Sequence, residues 1–253
     1  MYAMLVKFKI FSTISTFTPL VSTSADVYPL PPPTTLVGAL SYPYVKHKHG
    51  NIETYNGTSS SIILLNKIVY ASAGVPLDAI FTISKAIERT YQQVYMRKAH
   101  WKRLDMAYTI SIRPVIYIDE IYGLYIIKEE ALELVKYAYG IIRIGRKESL
   151  VSVNNVIIRP VNEIIVSNKR CLTKFYFPLT IARSWGRENI DGAVYEMPIL
   201  NVDNFSRGEP KLDKFVVPLP YSIKPIDVVL NENGVIIKIN GLYIPIPRGV
   251  ICA

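Results

Sequence analysis

Residues 28–40 read Tyr-Pro-Leu-Pro-Pro-Pro-Thr-Thr-Leu-Val-Gly-Ala-Leu, and this stretch limits what the backbone can do more tightly than any other. Pro29, Pro31, Pro32 and Pro33 each fix φ and remove a backbone donor, which predicts a stiff extended arm over 29–33. Thr34 or Thr35 then offers a hydroxyl to cap a helix. Leu36, Val37, Ala39 and Leu40 give that helix an apolar face. Gly38 is a poor helix former, so its place there needs a reason, such as close approach of the helix to a sheet or to a ligand. A helix start behind a rigid arm also presents N–H groups that suit a phosphate. The same residues fit a proline-rich loop ahead of an ordinary helix. Pro43 is expected to stop or kink the helix.

A second segment has a different character. Residues 85–103 hold Lys85, Arg89, Arg97, Lys98, Lys102 and Arg103 against Glu88 alone, a net +5 of the chain's +9. Tyr91, Tyr95 and Trp101 are interleaved. Basic side chains neutralise phosphates and aromatic faces accept stacked bases. A solvated amphipathic helix or hairpin, its aromatics packed inward, fits the same residues.

The rest of the composition sets bounds. Of the 253 residues, 50% are hydrophobic and 19% charged, which describes a globular chain with a good core. A net charge of +9 favours an anionic partner, such as nucleic acid or a membrane surface. Cys171 and Cys252 make no disulfide framework and no zinc spacing, and they suit a reducing interior. Near the N-terminus, Ser12, Thr13, Ser15 and Thr16 interrupt any apolar run after Lys7 and Lys9. We therefore expect no secretion signal and no membrane span.

Taken in order, residues 2–11 predict a strand and Ser12–Asp26 a polar loop. The arm and helix follow, and His47-Lys48-His49-Gly50 begins a loop running through Ser60. Ile62–Tyr70 predicts a strand, broken at Gly74-Val75-Pro76. Tyr108–Asp119 and Ile121–Ile127 predict two more, turning at Asp119-Glu120. Lys128–Tyr139 predicts a helix ended by Gly140, with Glu129 and Glu130 in its first turn. Ile141–Ile144, a turn at Gly145 and Leu150–Ile158 close this half. The order is strand, helix, strand, strand, helix, strand. That is the ferredoxin-like βαββαβ plan of an α+β domain, with the basic segment inserted between the middle strands. RNA-recognition (RRM-like) modules share the plan and meet single-stranded RNA on a sheet face.

From Arg159 onward nine of the 17 prolines appear, and Asn233-Gly234 and Asn240-Gly241 sit between β-branched runs as hairpin signals. We expect residues 1–158 to form the ferredoxin-like domain and 159–253 a smaller β-rich C-terminal region. Arg183-Ser184-Trp185-Gly186-Arg187 fits a second anion contact or an exposed charged loop. His47 and His49 alternate with lysines, with no carboxylate or cysteine beside them to complete a metal site. No phosphate loop, Ser/His/Asp signature or dinucleotide fingerprint is present.

The strand, loop and Pro31-Pro32-Pro33-Thr34-Thr35-Leu36-Val37-Gly38-Ala39-Leu40 together resemble the fifth CRISPR-associated protein family, in the archaeal type I-A branch of the RAMP superfamily. A second match, Arg143-Ile144-Gly145-Arg146-Lys147-Glu148-Ser149-Leu150-Val151, falls where that family carries a Gly-Arg turn. The resemblance covers residues 1–158. It implies a non-catalytic subunit of a type I-A Cascade complex in antiviral defence, binding the 5′ handle of the crRNA and capping the backbone filament. On that reading 85–103 is a thumb reaching over the RNA, with Tyr91, Tyr95, Arg97, Lys98, Trp101, Lys102 and Arg103 as RNA contacts. Arg143, Gly145, Arg146 and Lys147 would hold handle phosphates, and Thr34, Thr35 and Gly38 would set the first helix against the RNA or the thumb base. The implied partners are the crRNA, the seventh-family backbone subunit and the large and small Cascade subunits. Target DNA is met only through the complex. No cofactor, metal or membrane is expected, and the location is cytoplasmic.

One competing class is a metal-independent endoribonuclease acting on precursor crRNA. It needs a base for the 2′-hydroxyl and a cation for the phosphate. Lys98 and His100, with Tyr91 or Tyr95, are the candidates. Relatives in another CRISPR subtype use a tyrosine and an adjacent lysine–histidine pair; here Ala99 separates the two. A third class, a basic protein with protein partners only, would show no salt-sensitive RNA binding.

Overall fold

The computed structural model describes residues 1–16, 27–50, 54–55, 58–91, 108–206 and 209–252. Strand β1 (Tyr2–Ile10) is buried on both faces, with Met4, Val6, Phe8 and Ile10 on one and Ala3 and Leu5 on the other. Side chains alternate across a strand, so such a strand must be covered twice. Helix α1 (Pro33–His49) covers the first face through Leu36, Val37, Leu40 and Tyr44. The hydroxyl of buried Tyr125 donates to Leu36 O at 3.1 Å and ties this helix to the sheet.

After α1 come the small pair β2 (Thr54–Tyr55) and β3 (Thr58–Ser59), a 3-10 turn at Ser60–Leu64, and strand β4 (Ile68–Gly74). Strands β5 (Thr82–Tyr91) and β6 (Tyr108–Tyr117) form a separate antiparallel hairpin. Strand β7 (Glu120–Ile127), a 3-10 turn at Glu129–Ala131, helix α2 (Leu134–Ala138) and strand β8 (Val151–Pro160) follow. The main sheet has the order β4–β7–β1–β8, with every neighbouring pair antiparallel. Its elements therefore run strand, helix, strand, strand, helix, strand, with the β5–β6 hairpin inserted between the middle strands.

The remaining chain is mostly strand, and the class is α+β. Helix α3 (Val161–Ile164) precedes β9 (Ile165–Val166), β10 (Arg170–Thr173), β11 (Phe177–Pro178) and β12 (Ala182–Trp185). Then come β13 (Gly192–Pro198), β14 (Leu212–Pro218), β15 (Ile226–Leu230), β16 (Gly234–Ile239), β17 (Leu242–Pro247) and α4 (Gly249–Cys252). They pair as β10–β15–β12, β11–β14–β13 and β17–β16–β9. The β16–β17 hairpin covers the second face of the main sheet, where Val235, Ile237, Ile239, Ile244 and Ile246 pack with Ala3, Leu5, Leu124 and Ile126. Asn240 and Gly241, at φ 51° and 77°, make the tight turn that joins its strands. Asn233-Gly234 is not a second hairpin: it links strands of two different sheets, and Gly234 opens β16.

Several local expectations are corrected. Pro32 holds the N-cap position of α1 with no side-chain cap, so neither Thr34 nor Thr35 caps the helix. The N–H groups of Thr35 and Leu36 instead reach Pro32 O at 3.0 and 3.2 Å. Pro43 neither stops the helix nor ends it nearby; α1 runs on to His49 and takes His47-Lys48-His49 out of the expected loop. Packing holds Pro43 in place, because Gly140 lies so close that a Cβ there would meet Pro43 Cβ at 2.9 Å. This tertiary contact overrides the local preference. Residues 62–67 do not begin a strand. Ser59 Oγ accepts the Ser61 N–H and starts a 3-10 turn, and β4 begins only at Ile68. The helix expected over 128–139 splits into a 3-10 turn and the short α2, and Ile141–Ile144 makes only an isolated bridge, Arg143 to Leu150.

The root of the β5–β6 hairpin is held from two sides. Ile14 and Ile116 exchange backbone hydrogen bonds of 3.0 and 2.8 Å, and Ser15 Oγ donates to Pro114 O at 3.0 Å. From the C-terminal region Tyr221, a non-glycine residue at φ 66°, donates its N–H to Phe81 O at 2.8 Å and its hydroxyl to Ile83 O at 2.6 Å. Lys174, buried, donates to Ala79 O at 2.6 Å and Ser222 O at 3.1 Å. Burial holds its ammonium below the usual lysine range, with Asp78 opposing that shift.

If the β16–β17 hairpin is an integral layer of the core, Leu124→Ala should lower unfolding free energy by about 2–5 kcal/mol in a denaturant titration. A cost within about 0.5 kcal/mol, the range of ordinary surface changes, would show that this hairpin is not part of the cooperative unit.

Candidate nucleic-acid interface

Helix α1 buries one face and leaves a stripe on the other. Thr35, Gly38, Tyr42 and Lys46 follow at helical spacings of three and four, which places them on one side of the cylinder. Opposite this stripe stands the turn at Gly145. Ile141, Ile144 and Val151 are buried and pin it, while Ile142 and Leu150 are half exposed. Ile144 N–H donates to Ser149 O and Ser149 N–H to Arg146 O, both at 3.1 Å. The segment before the arm rivets it from outside. Ser12 Oγ donates to Glu148 O at 2.6 Å and accepts the Leu150 N–H at 3.0 Å, and Ser149 Oγ accepts the Ser15 N–H at 3.2 Å. Gly145 has φ 88°, and a Cβ there would stand 2.6 Å from Ser15 O. Both the backbone angle and the neighbour therefore exclude a side chain.

Ser59, Ser60 and Ser61 form a third wall. Ser61 Oγ shares a 2.7 Å hydrogen bond with Ser41 Oγ and accepts one of 3.2 Å from Ser59 Oγ. Together the stripe, the turn and the serines enclose a groove of about 720 Å³. Gly38, Tyr42, Lys46, Arg143 and Lys147 line it with the serines. Smaller hollows of about 280 and 380 Å³ adjoin it, one reaching Thr35 and Gly145, the other Thr34, Thr35 and Phe205. Gly38 is not a close-packing glycine. A Cβ there would meet only Ser61 Oγ, at 3.9 Å, so the missing side chain keeps the groove floor low.

The charges in this groove are uncompensated. The Arg143 guanidinium lies 4.9 Å from the Tyr42 ring centroid, and Lys46 Nζ lies 5.7 Å from it. Among the described residues no carboxylate pairs with Arg143, Lys46 or Lys147. Many other cations are paired: Lys7 with Glu120 at 2.9 Å, Lys9 with Asp119, Lys48 and Lys67 with Glu133 at 3.3 and 3.6 Å, and Lys211 with Asp203 at 2.6 Å. A concave site lined by unpaired cations concentrates positive potential and suits an anion.

Of the residues singled out in the sequence, Thr34, Thr35, Gly38, Arg143, Gly145 and Lys147 come together around the groove and its adjoining hollows. Arg146 is half-buried on the same turn. Tyr91 ends strand β5, its backbone paired with Tyr108, so the described part of the basic segment is hairpin and not helix. Tyr95, Arg97, Lys98, Trp101, Lys102 and Arg103 lie outside the described residues, as does His100. Arg183 and Arg187 are exposed, and the Arg187 N–H donates to Asp191 Oδ2 at 2.9 Å. His47 does not line an extended segment; it sits in the last turn of α1, its Nδ1 3.0 Å from the Tyr137 hydroxyl. No cluster of His, Cys, Asp or Glu among the described residues could hold a metal ion. No described helix is long and apolar enough to cross a membrane. Sequence reasoning missed Tyr42, Lys46 and the serine wall. The i, i+4 run Gly38, Tyr42, Lys46 was a usable signal, hidden by the expectation that Pro43 ends the helix.

Two glycine substitutions should move stability in opposite directions. Gly38→Ala should raise it by about 0.8–1 kcal/mol, the helix-propensity difference, because nothing opposes the methyl. Gly145→Val should lower it by at least about 1–3 kcal/mol through strain and collision with Ser15. Thermal or denaturant melts of both variants check this pair of signs.

Comparison with known proteins gives two informative likenesses. No family model matches the chain. The CRISPR system aCascade subunit Cas5 1 of Saccharolobus solfataricus is 30% identical over 168 residues, which span 64% of this chain and 66% of that protein. The crystal structure of a CRISPR protein from Archaeoglobus fulgidus superposes with a TM-score of 0.61 at 19% identity, covering 97% of this chain and 98% of that one. At that identity the second likeness speaks for the fold alone. A chain of a CRISPR RNA-guided surveillance complex aligns over 96% of this chain and 91% of its own, but with a TM-score of 0.44 at 12% identity.

Proposed function

The chain belongs to the Cas5 family of CRISPR-associated proteins, and from that premise we propose that it is the non-catalytic, crRNA-handle-binding subunit of a type I-A Cascade complex. We read the β4–β7–β1–β8 sheet as the ferredoxin-like core of residues 1–158, with 159–253 as its β-rich companion. The 5′ handle of the crRNA lies in the groove between α1 and the Gly145 turn. One observation carries this reading: two sequence motifs far apart in the chain meet across a single groove whose cations, Arg143, Lys46 and Lys147, have no carboxylate partner among the described residues. Phosphates supply the missing charge.

The second face of the main sheet is buried under β16–β17, so the strand cannot run across it as in RNA-recognition modules. The groove is the place left to it. We assign the thumb to residues 85–103, whose basic and aromatic side chains add contacts to the RNA and to the neighbouring backbone subunit. The large and small subunits, and target DNA through them, complete the set of partners. The setting is cytoplasmic and no membrane is involved.

The test is binding and cleavage of the chain's own CRISPR repeat RNA, without added metal. The wild type should bind in a salt-dependent manner and leave the RNA intact. Each neutralised single-strand phosphate adds about 0.7 to the slope of log affinity against log salt. Replacing both Arg143 and Lys147 with Ala should therefore flatten that slope by about 1.4, and replacing Arg97, Lys98, Lys102 and Arg103 by nearly three. Slopes that stay at the wild-type value would remove both elements from the interface. Cleavage at one site, abolished by His100→Ala, would establish the endoribonuclease instead.

A further inference from the structure

Tyr42 is the feature of this groove that neither the charge argument nor handle binding requires. The residue is 37% exposed, a large share for an aromatic lining a concave site. It takes Arg143 at 4.9 Å and Lys46 at 5.7 Å, and it joins them in lining the groove. One helical turn before it, Gly38 leaves bare backbone beside the ring, with no atom nearer than 3.9 Å to a Cβ built there. The site thus offers an aromatic face, an open slot beside it, and a guanidinium held on the ring with no carboxylate partner among the described residues.

We propose that Tyr42 is an exchangeable stacking platform: its ring holds Arg143 in the RNA-free protein and takes a nucleobase when single-stranded RNA enters, releasing Arg143 to a phosphate. The inference rests on the proposed RNA reading and adds the mode of recognition to it. A cation over an exposed ring is held weakly, whereas base stacking on an aromatic side chain is the stronger contact. Charge-assisted hydrogen bonds to phosphate oxygens then replace the guanidinium's contact with the ring. Parking Arg143 on Tyr42 also limits the rotamer freedom lost on binding. Every base presents a π face, so this step senses that a base is present and not which one. A duplex, whose bases are stacked in pairs, cannot supply it.

The experiment is an abasic scan of the single-stranded repeat RNA against wild type, Tyr42→Ala, Tyr42→Phe and Gly38→Leu, each first shown to be folded by its melting transition. For wild type, one abasic position should weaken binding roughly 5- to 150-fold, the range of one base stacked on one aromatic. Tyr42→Ala should lose a similar factor on intact RNA and nothing further at that one abasic position, because the two changes remove the same contact. Gly38→Leu, which fills the slot beside the ring, should give the same pattern. Tyr42→Phe should behave as wild type. Tyr42→Ala should leave the salt slope unchanged, while Arg143→Ala should flatten it by about 0.7. Wild-type affinity in folded Tyr42→Ala or Gly38→Leu, or losses that multiply with every abasic position, would overturn the inference and leave the proposed function standing. An absence of RNA binding by the wild type would overturn both.

Discussion

Burial of the main sheet on both faces is the constraint from which the rest of the molecule follows. Met4, Val6 and Phe8 need a cover on one side, and Ala3 and Leu5 need another on the opposite side. Helices supply the first cover. The second comes from the β16–β17 hairpin, whose five valine and isoleucine side chains fill the face with apolar volume. Burial at roughly 25 cal/mol per Å² makes such a layer hard to lift. A ligand is therefore left the outer side of α1 and the loops at the ends of the strands. This is where the groove lies, with Arg143, Lys46 and Lys147 along it.

That groove is poor for stability, which is what a proposed binding site would show. Arg143, Lys46 and Lys147 stand without a carboxylate among the described residues, and Gly38 weakens the helix that carries Ser41, Tyr42, Val45 and Lys46 to the groove. Surface pairs such as Lys48 and Lys67 with Glu133 show that the same helix region can satisfy its charges where the groove does not need them. Local features that cost stability and have no packing reason belong with a site. Gly145 is different. Its φ of 88° and its contact with Ser15 O make it a structural glycine that also brings backbone to the groove wall.

The sequence was most legible where covalent geometry decides. The turn at Gly145 and the Asn240-Gly241 turn follow from restrictions on single residues and are present, while the proline arm expected over 29–33 is shorter than read, since the chain bends at 29–30 and Pro33 already opens α1. It was less legible where packing decides. Pro43 stays in a helix because Gly140 lets its ring dock, and that contact spans 97 positions of sequence. The run Ile62–Leu65 looks like a strand by composition, yet Ser59 captures the Ser61 N–H and winds it into a turn. The groove was half legible: its two basic and glycine motifs announced themselves, but Tyr42 and Ser59–Ser61 carry no charge and gain meaning only from what faces them. The covering of the sheet's second face was not legible at all. Isoleucine-rich strands in the C-terminal region do not say which surface they will bury.

The C-terminal region was silent in the sequence beyond being β-rich, and its contacts give it a definite mechanical part. It holds the arm that leads into α1 and the root of the β5–β6 hairpin. The Tyr176 hydroxyl donates to Pro31 O at 3.1 Å and the Tyr28 hydroxyl donates to Glu196 O at 2.9 Å, so the proline arm is fixed between them. Burial, with the charge of Glu196 adding to it, pushes the Tyr28 phenol up to about 12, which keeps that donor protonated at any ordinary pH. Lys174 and Tyr221 hold the root of the β5–β6 hairpin in the same way. The helix start and the hairpin root are thus both tied to the C-terminal region. A site assembled from loops alone would pay ordering entropy when a strand enters it; one clamped from behind has lost that entropy already on folding.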